Sequence, residues 1–340
     1  MKYNKLSYLF MALFFFYSCH DLDLNPLSEG SSENWYSDEN ELNMSLNYLF
    51  RTQFWPSMHF NQGNGGDLPR WKGYGDDDFL ARGTLQFVSD GTMNGQTSIV
   101  TSTWNYAYIA IASANTLIDR LDNADKMSET KKIEYEANAR FVRASQYAEL
   151  IFRYGDVPFY TSKLSIDEAL SLTRTDKNQI LKEIYSDYDF AINNLPISYS
   201  SQGFHYATKG AALAMKARIA LYMGDYQLAR DAALACMNLG VYNLHPNSNE
   251  IIFGTSRSIE LKQVINVREM VSRNAGGWSN GGPSWELLAA FTCTDGLPID
   301  ESPLFDSHNP FKNRDPRCTQ TIVEFQTPWF GYIYQPHPDS

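Results

Sequence analysis

Two helix-length segments joined by a tight turn constrain the fold of this chain more than any other feature of its sequence. Small and apolar residues recur at helical spacing from about Ala207 to Tyr222 and again from about Tyr226 to Leu239. Gly224 and Asp225 lie between the two segments, and a glycine there permits the left-handed backbone that ends a helix. The pattern predicts an antiparallel helical hairpin in which Ala229, Ala233 and Cys236 face inward, and Cys236 is expected to be a buried thiol.

Further helical patterns precede this hairpin. Apolar residues at helical spacing predict helices at Glu39–Gln53, from Trp104 onward, at about Glu129–Tyr154 and at about Asp176–Asn194. The turn at Gly224 resembles that of a tetratricopeptide repeat, and pairing of Glu129–Tyr154 with Asp176–Asn194 would supply a second, degraded repeat. Two ordinary helical hairpins are the alternative, because a single repeat cannot bury its own apolar face.

The N-terminus has the pattern of an export signal followed by a tether. Two lysines precede the apolar stretch Leu6–Phe16, and Ser18 and Cys19 follow that stretch at once. Because a transmembrane helix needs about 20 apolar residues, this shorter stretch predicts a signal peptide over residues 1–18. A small residue before a cysteine resembles a bacterial lipobox, so Cys19 is predicted to be lipidated and residues 19–34 to form the tether. The alternative is an ordinary signal peptide with an incidental cysteine.

Charge and composition exclude one broad class of function. The chain has 340 residues, with 28 Lys plus Arg against 39 Asp plus Glu, which gives a net charge of −11. Because an acidic surface repels phosphate backbones, nucleic-acid binding is not expected. Aromatic residues make up 14% of the chain. Most of these rings are expected to pack in the core, and the others are available for stacking on a ligand.

Two glycine-rich segments interrupt the helical pattern and contain tryptophan and tyrosine. The first is Phe54–Thr103 and the second is Ser272–Pro283. Loops this long are usually functional or disordered, and the interleaved aromatics favour function. A pyranose ring packs its C–H face on an indole or phenol, while its hydroxyls bind amides and carboxylates. The predicted ligand-binding residues are therefore Trp71, Tyr74, Asp76, Asp78, Trp278 and Asn280. Anchoring of the loop to the core is the alternative role of each tryptophan.

Other kinds of site have less support in the sequence. The acidic run at Gly75–Asp78 lacks the ligand spacing of an EF-hand loop, so a solvated turn is expected there and no metal is predicted. No nucleophile elbow, His-Glu-x-x-His motif or phosphate-binding loop occurs. The chain is therefore not expected to be an enzyme, and no catalytic residue or cofactor is predicted. Pairing of Cys293 with Cys318 as a disulfide stays open.

Residues 241–340 are predicted to be irregular. Glu250–Phe253 and Gln263–Val267 have the composition of short strands, Ser284–Phe291 has that of a short helix, and the tail from Glu324 shows no closing helix. Four arginines are predicted to pair with carboxylates and to fix junctions between helices and loops. They are Arg140, Arg143, Arg314 and Arg317.

Five motifs follow one another in a single order along the chain. They are Trp104-Asn105-Tyr106 with Ala114-Asn115, the Arg-Phe-x-Arg-Ala to Tyr-Gly-Asp-Val-Pro run within 138–160, the repeat within 207–229, the Asp-Gly turn within 283–299, and Asn313-Arg314-Asp315-Pro316-Arg317. In this order, and behind a lipobox, they resemble the SusD/RagB family of outer-membrane nutrient-binding lipoproteins. The resemblance runs from Cys19 to Arg317.

The resemblance implies a mainly α fold. A scaffold of tetratricopeptide-like helical hairpins is expected, with irregular loops and a few short strands packed on one side. Residues 35–340 form one SusD-like domain in this interpretation, mainly helical over 35–240 and irregular over 241–340. Family members are usually considerably longer, so the chain is expected to be a C-terminally truncated member in which 241–340 is incomplete.

The resemblance also implies a function and a partner. A surface-exposed lipoprotein of the Gram-negative outer membrane is expected, which captures an oligosaccharide or other nutrient for a SusC-like TonB-dependent barrel without catalysis. An exported tetratricopeptide-type protein scaffold without glycan binding is the alternative, and a hydrolase is a third. Substitution of Trp71 and Trp278 separates the first two hypotheses. The sequence does not name the sugar, because linkage is recognised by the geometry of the whole site.

Overall fold

The structure, a computed structural model, describes residues 39–55, 78–81, 91–199, 206–244, 250–254, 268, 271–279 and 281–334. The predicted signal peptide, Cys19, the tether and the predicted strand Gln263–Val267 lie outside these ranges. Within them the fold is mainly α-helical, which confirms the predicted fold class. No helix in these ranges has both the length and the apolar content needed to cross a bilayer.

The larger part of the molecule is a helical body. It contains, in chain order, α1 (Glu39–Leu49), α2 (Ser98–Leu121), α3 (Glu129–Tyr154), α4 (Ile166–Ser171), α5 (Lys177–Asn194), α6 (Lys209–Met223) and α7 (Tyr226–Met237). Helix α3 packs against α2 and α5, α5 packs against α6, and α6 packs against α7. The two predicted hairpins are thus confirmed, and they lie side by side through the contact of α5 with α6.

The apolar stripes of these helices form the core. Leu42, Leu46 and Leu49 of α1 and Phe141 of α3 are fully buried. Cys236 is a buried thiol, as predicted, and its Sγ donates to the carbonyl oxygen of Gly210 at 3.6 Å. The prediction that Ala233 faces the core is wrong. Ala233 is exposed and Ala232 is buried, because α7 turns the i, i+3, i+7 row of Ala229, Ala232 and Cys236 towards α6.

The turn between α6 and α7 has the geometry that its glycine predicts. Gly224 has a φ of +87°, and its N–H donates to the carbonyl oxygens at the end of α6. The backbone N–H of Asp225 donates to the carbonyl of Ala220 at 2.8 Å. The Asp225 carboxylate accepts the hydroxyl of Tyr185 at 2.6 Å, which ties the turn to α5.

A buried arginine joins three parts of the helical body. Arg143 of α3 donates through Nε and Nη2 to the two carboxylate oxygens of Asp187 on α5, at 2.7 and 2.8 Å. Its Nη1 donates to Asn115 Oδ1 at 2.7 Å and to the carbonyl of Thr161 at 2.9 Å. The predicted structural role of Arg143 is confirmed. Arg140 also pairs as predicted, with Glu136 at 2.6 Å.

Two boundaries of the predicted first loop are wrong. Helix α1 ends at Leu49, and a 3₁₀ turn at Thr52–Phe54 follows it, so the helix is shorter than predicted. Helix α2 begins at Ser98 rather than Trp104, because the Thr97 carbonyl accepts from the N–H groups of Val100 and Thr101. The polar and β-branched first turn of α2 has low helix propensity, which hid this start. The loop also contains strand β1 (Phe79–Ala81).

Short strands and helices make up the rest of the described chain. They are β2 (Val157–Pro158) paired with β3 (Arg174–Thr175), then β4 (Gly281–Pro283), α8 (Trp285–Ala290), α9 (Arg317–Thr321), and β5 (Pro328–Trp329) paired with β6 (Tyr332–Ile333). Helix α8 confirms the predicted helix at Ser284–Phe291, and the Ser284 hydroxyl caps it. The predicted strand Glu250–Phe253 is wrong, because these residues form turns and bends.

The irregular region has a small core of its own, formed by Leu288, Phe311, Cys318 and Ile322. Arg314 is buried beside it and donates to the carbonyls of Pro310 at 2.9 Å, Leu288 at 2.5 Å and Phe291. The predicted carboxylate partner of Arg314 is therefore wrong, whereas Arg317 does pair with Asp315, at 2.5 Å. Cys293 and Cys318 are free, buried thiols.

Candidate functional site

A two-stranded ladder joins the two glycine-rich segments in which the sequence predicts ligand contacts. Strands β1 and β4 are antiparallel, with Phe79 opposite Pro283 and Ala81 opposite Gly281. The backbone N–H of Ser284 donates to the carbonyl of Asp78 at 2.9 Å and extends the pairing by one position. Segments that are far apart in sequence therefore meet at one place on the molecule.

Trp278 is presented by a tight turn that is fixed by its own backbone. The Trp278 N–H donates to the carbonyl of Arg268 at 2.7 Å, and the Ser279 N–H donates to that of Val271 at 3.0 Å. Gly277 passes so close to the Val271 carbonyl that any side chain at this position would collide with it. Trp278 is 42% exposed. A large ring on a rigid turn loses little conformational entropy when a ligand stacks on it.

Two further exposed rings lie on α8 and on the β5–β6 hairpin. Trp285 begins α8, directly after Ser284, and is 52% exposed. Phe330 forms the turn between β5 and β6 and is 61% exposed. The hairpin is attached to the segment that carries Trp278, because Asn274 Nδ2 donates to the Tyr332 hydroxyl at 3.0 Å. We call the region formed by residues 78–81, 271–279 and 281–285 the ladder surface.

The structure describes only part of the predicted site. Asp78 and Trp278 are both exposed. They lie at opposite ends of the ladder, Asp78 beside Ser284 and Trp278 before Gly281. The other predicted ligand-binding residues lie outside the described ranges, and their roles stay predictions. They are Trp71, Tyr74, Asp76 and Asn280.

Trp285 and Phe330 were missed by reasoning from the sequence. Trp285 falls inside a predicted helix, where a tryptophan is usually assigned to the core. The signal was the serine before it: a Ser284 cap makes Trp285 the first helical residue, and first-turn positions are often solvent-exposed. Phe330 precedes Gly331, and both have positive φ, of 50° and 75°. Two consecutive residues with positive φ are typical of a tight hairpin turn. The sequence has Phe-Gly at this turn rather than the Asn-Gly pair that usually indicates one.

The ladder surface suits non-covalent recognition of a flat, partly apolar ligand. Gly282 of β4 is partly exposed and a Cβ there would meet nothing within 4 Å, so a ligand can approach this backbone closely, four residues after the exposed indole of Trp278. Among the described residues, no group of three or more His, Cys, Asp or Glu side chains is placed to hold a metal ion. The exposed rings and backbone groups of the ladder surface offer ring stacking and hydrogen bonding to a ligand.

Comparison with known protein families gives a match to the central part of the chain. Residues 79–221, from the first residue of β1 into α6, match the SusD-like family described as "starch-binding associating with outer membrane". SusD-like protein P25 of Formosa agariphila is 30% identical over 152 residues, which are 45% of this chain and 29% of that protein. SusD-like protein P2 of the same organism is 27% identical over 246 residues, 70% of this chain and 46% of that one.

Solved structures show the same fold. A SusD-like carbohydrate-binding protein from Bacteroides fragilis matches with a TM-score of 0.76 at 24% identity, covering 90% of this chain and 63% of that one. A laminarin-binding SusD-like protein matches with a TM-score of 0.50 at 26% identity, covering 58% of this chain and 43% of that one. The chain thus spans less than two thirds of each of these four relatives. These matches confirm the resemblance that the motifs predict: residues 79–221 match the SusD-like family, and the relatives and solved structures that the chain resembles are SusD-like proteins.

Proposed function

We propose that this chain binds a glycan at the ladder surface and does no chemistry on it. The observation that carries the proposal is the β1–β4 ladder, which brings the two aromatic, glycine-rich segments together beside an exposed Trp278 on a rigid turn. Binding of laminarin by one SusD-like relative supports a glycan as the ligand class.

In this mechanism the glycan is bound by ring stacking at one end of the ladder and by hydrogen bonds at the other. The indole of Trp278 packs on the C–H face of a sugar ring and releases water from both surfaces. Asp78 accepts hydroxyl hydrogens at the other end of the ladder. Trp71, Tyr74, Asp76 and Asn280 complete the site in this proposal, since they lie close in sequence to Asp78, β1 and β4. The separation of Asp78 from Trp278 favours a ligand longer than one sugar residue.

The lipid anchor and the transporter are part of the same proposal. Lipidation of Cys19 attaches the chain to the outer membrane, where it passes captured glycan to a SusC-like TonB-dependent barrel. The lipobox and the family description of outer-membrane association support this assignment. Co-purification of a β-barrel with the full-length chain from native membranes tests it, and a Cys19→Ala variant that still fractionates with the membrane would contradict the anchor.

A glycan array on the full-length chain tests the binding function. We expect a signal for one polysaccharide class, with an affinity that falls about tenfold in Trp278→Ala, since loss of a stacked ring costs roughly 0.5–1.5 kcal/mol in addition to its buried area. Tyr226→Ala is the matched control, because Tyr226 is 70% exposed on α7, outside the ladder surface. Equal affinity of Trp278→Ala and wild type would place the ligand elsewhere.

A protein scaffold is the second candidate function, and one observation favours it. Leu221 and Tyr222 at the end of α6 and Tyr226 at the start of α7 are 53%, 53% and 70% exposed, which is a high apolar exposure for a hairpin tip. In the scaffold hypothesis Tyr226→Ala weakens binding of a protein partner, and Trp278→Ala has no effect on any ligand. The two variants therefore separate the hypotheses.

A further inference from the structure

A second concave site lies in the helical body, away from the ladder surface. The cleft has a volume of about 500 Å³, inside the range of roughly 300–1,000 Å³ that is typical of small-molecule sites. Its lining comes from α2, from the segment after β2 and from α4, and it shares no residue with the ladder surface. Trp104, Tyr108 and Tyr160 form its aromatic part, and Asn115, Ser162 and Lys163 its polar part.

The aromatic part of the cleft is held rigidly. The rings of Tyr108 and Tyr160 are nearly parallel, 11° apart with centroids at 6.3 Å. The Tyr108 hydroxyl donates to the Pro158 carbonyl at 2.7 Å. Trp104 packs its ring at 87° to that of Tyr154, with centroids at 5.2 Å. A wall of rings fixed in this way is ready to stack on a ligand without rearrangement.

The backbone under the cleft is anchored to the core. The buried Tyr147 hydroxyl donates to the Tyr160 carbonyl at 2.8 Å and accepts from the Tyr160 N–H at 2.9 Å. Arg143 holds the next carbonyl, that of Thr161, at 2.9 Å, and also holds Asn115 Oδ1 at 2.7 Å. The segment after β2 is therefore a fixed wall of the cleft rather than a loose loop.

The polar groups of the cleft specify the class of ligand. The lining contains the hydroxyl of Ser162 and the ammonium of Lys163, both exposed, so a purely apolar ligand would take water from them without compensation. Burial raises the pKa of Tyr160, and its phenol is a neutral donor at physiological pH. Rings beside a hydroxyl and an ammonium fit a sugar, which has an apolar face and a hydroxylated edge.

The charge of the cleft refines this assignment. Among its lining residues Lys163 carries a charge and no acid does, although the chain as a whole has a net charge of −11. Lys163 is exposed, and no carboxylate in the described part of the chain pairs with it. A lysine that forms no salt bridge with a described carboxylate, in a protein with a net charge of −11, favours an anionic group on the ligand.

We propose that this cleft is a second saccharide site, which takes a uronate-containing sugar with its ring on Tyr108 and Tyr160 and its carboxylate at Lys163. The choice of a sugar rests on the proposed glycan function, whereas the cleft and its charge do not. The two sites have separate variants, Lys163→Gln here and Trp278→Ala at the ladder surface. Failure of one proposal is therefore distinguishable from failure of the other.

Calorimetric titration of the full-length chain with trigalacturonate tests the proposal, with its methyl ester as a matched neutral probe. We expect wild type to bind the acid more tightly than the ester and Lys163→Gln to weaken the acid roughly tenfold, as expected for loss of a charge-assisted hydrogen bond. Lys163→Gln should leave the ester unchanged, and Trp278→Ala should leave both probes unchanged. Lys163 is exposed, so the variant is expected to fold, and circular dichroism checks this.

A second variant tests the aromatic wall. Tyr160→Ala removes one of the two parallel rings and should weaken acid and ester alike, whereas Tyr160→Phe keeps the ring and should retain most of the affinity. No binding of trigalacturonate at millimolar concentration overturns the proposal, as does an unchanged affinity in Lys163→Gln. Loss of trigalacturonate binding in Trp278→Ala alone would place the acidic sugar at the ladder surface and overturn it too.

Discussion

The helical body and the irregular region of residues 271–334 each contain a buried arginine, and the two arginines have different kinds of hydrogen-bond partner. Arg143 in the body meets the carboxylate of Asp187 with two hydrogen bonds. Arg314 in the irregular region meets three backbone carbonyls, those of Pro310, Leu288 and Phe291. Arg143 joins two helices to each other. Arg314 instead donates to backbone carbonyls that, in the described part of the chain, no helix or strand partner bonds in its place.

This difference shows what positions the proposed glycan site. The body has an extended core of helix-borne apolar residues, whereas the irregular region has a small cluster around Leu288, Phe311 and Cys318. With little apolar burial, the loops depend on specific hydrogen bonds for their shape. The ladder surface is at the side of the molecule where such bonds, rather than packing, fix the backbone.

The largest expected effect is that of breaking the ion pair in the helical body. Arg143→Met removes both short hydrogen bonds from the buried carboxylate of Asp187 and leaves it only the 3.5 Å contact with Arg140, so we expect a loss of about 3–5 kcal/mol in the free energy of unfolding. Urea denaturation measures it. The double variant Arg143→Met/Asp187→Leu should recover much of the loss. A single variant as stable as wild type would show that the pair does not hold the body together.

Removal of the second arginine should have a local effect. Arg314→Met takes the donor from three carbonyls, each of which costs about 1–3 kcal/mol when it is left buried without a partner. We expect amide hydrogen exchange to accelerate over residues 281–325 and to stay slow in α3, α5 and α6. The exposed Arg317→Met is the control, with an expected effect within about 0.5 kcal/mol. Equally faster exchange in residues 281–325 and in α3, α5 and α6 would show that the effect of removing Arg314 is not local.

Alkaline pH should weaken the helical body through its buried phenols. Burial raises the pKa of Tyr135 to about 12, and it also raises the pKa values of Tyr147 and Tyr188. Tyrosine in the unfolded chain ionises near pH 10, so above that pH only the unfolded state loses the proton and stability falls. The loss attached to Tyr135 is complete near pH 12. Thermal melting across this range measures it.

The matched variant for the alkaline experiment is Tyr188→Phe. It removes the fully buried phenol that bonds Ser145 at 3.0 Å and keeps the ring. We expect a shallower fall of melting temperature above pH 10 in this variant than in wild type. Equal slopes in the two proteins would mean that this phenol does not contribute to alkaline unfolding.

The smallest expected effect concerns the hairpin that the sequence marks most clearly. Gly224→Ala places a side chain at a φ of +87°, which costs about 1–2 kcal/mol. Gly95→Ala is the control, because Gly95 lacks a positive φ and a Cβ there meets nothing within 4 Å. Denaturation of both variants tests the turn, and equal stability would show that α6 and α7 do not require the left-handed residue.

The sequence predicts the helical body well because its signals are local. Periodic apolar residues mark α3, α5, α6 and α7, and Gly224 marks the turn between the last two. The irregular region is predicted poorly because its contacts are distant in sequence. The hydrogen bonds from Arg314 to backbone carbonyls and the β1–β4 ladder form only when segments far apart in sequence come together. The spacing of apolar residues does not predict such contacts. Trp278 was predicted to contact ligand because glycines surround it in the sequence. Trp285 was not considered, because it lies in a predicted helix.

Amide hydrogen exchange with and without the polysaccharide that binds most strongly tests the central proposal, a glycan site on the ladder surface. The full-length chain is used, and α5 and α6 serve as internal references. We predict slower exchange of residues 271–284 together with 78–81, since both sides of the ladder should be covered at once. Unchanged exchange in these two segments, with protection confined to 104–116 and 158–172, would contradict it and leave the cleft in the helical body as the glycan site.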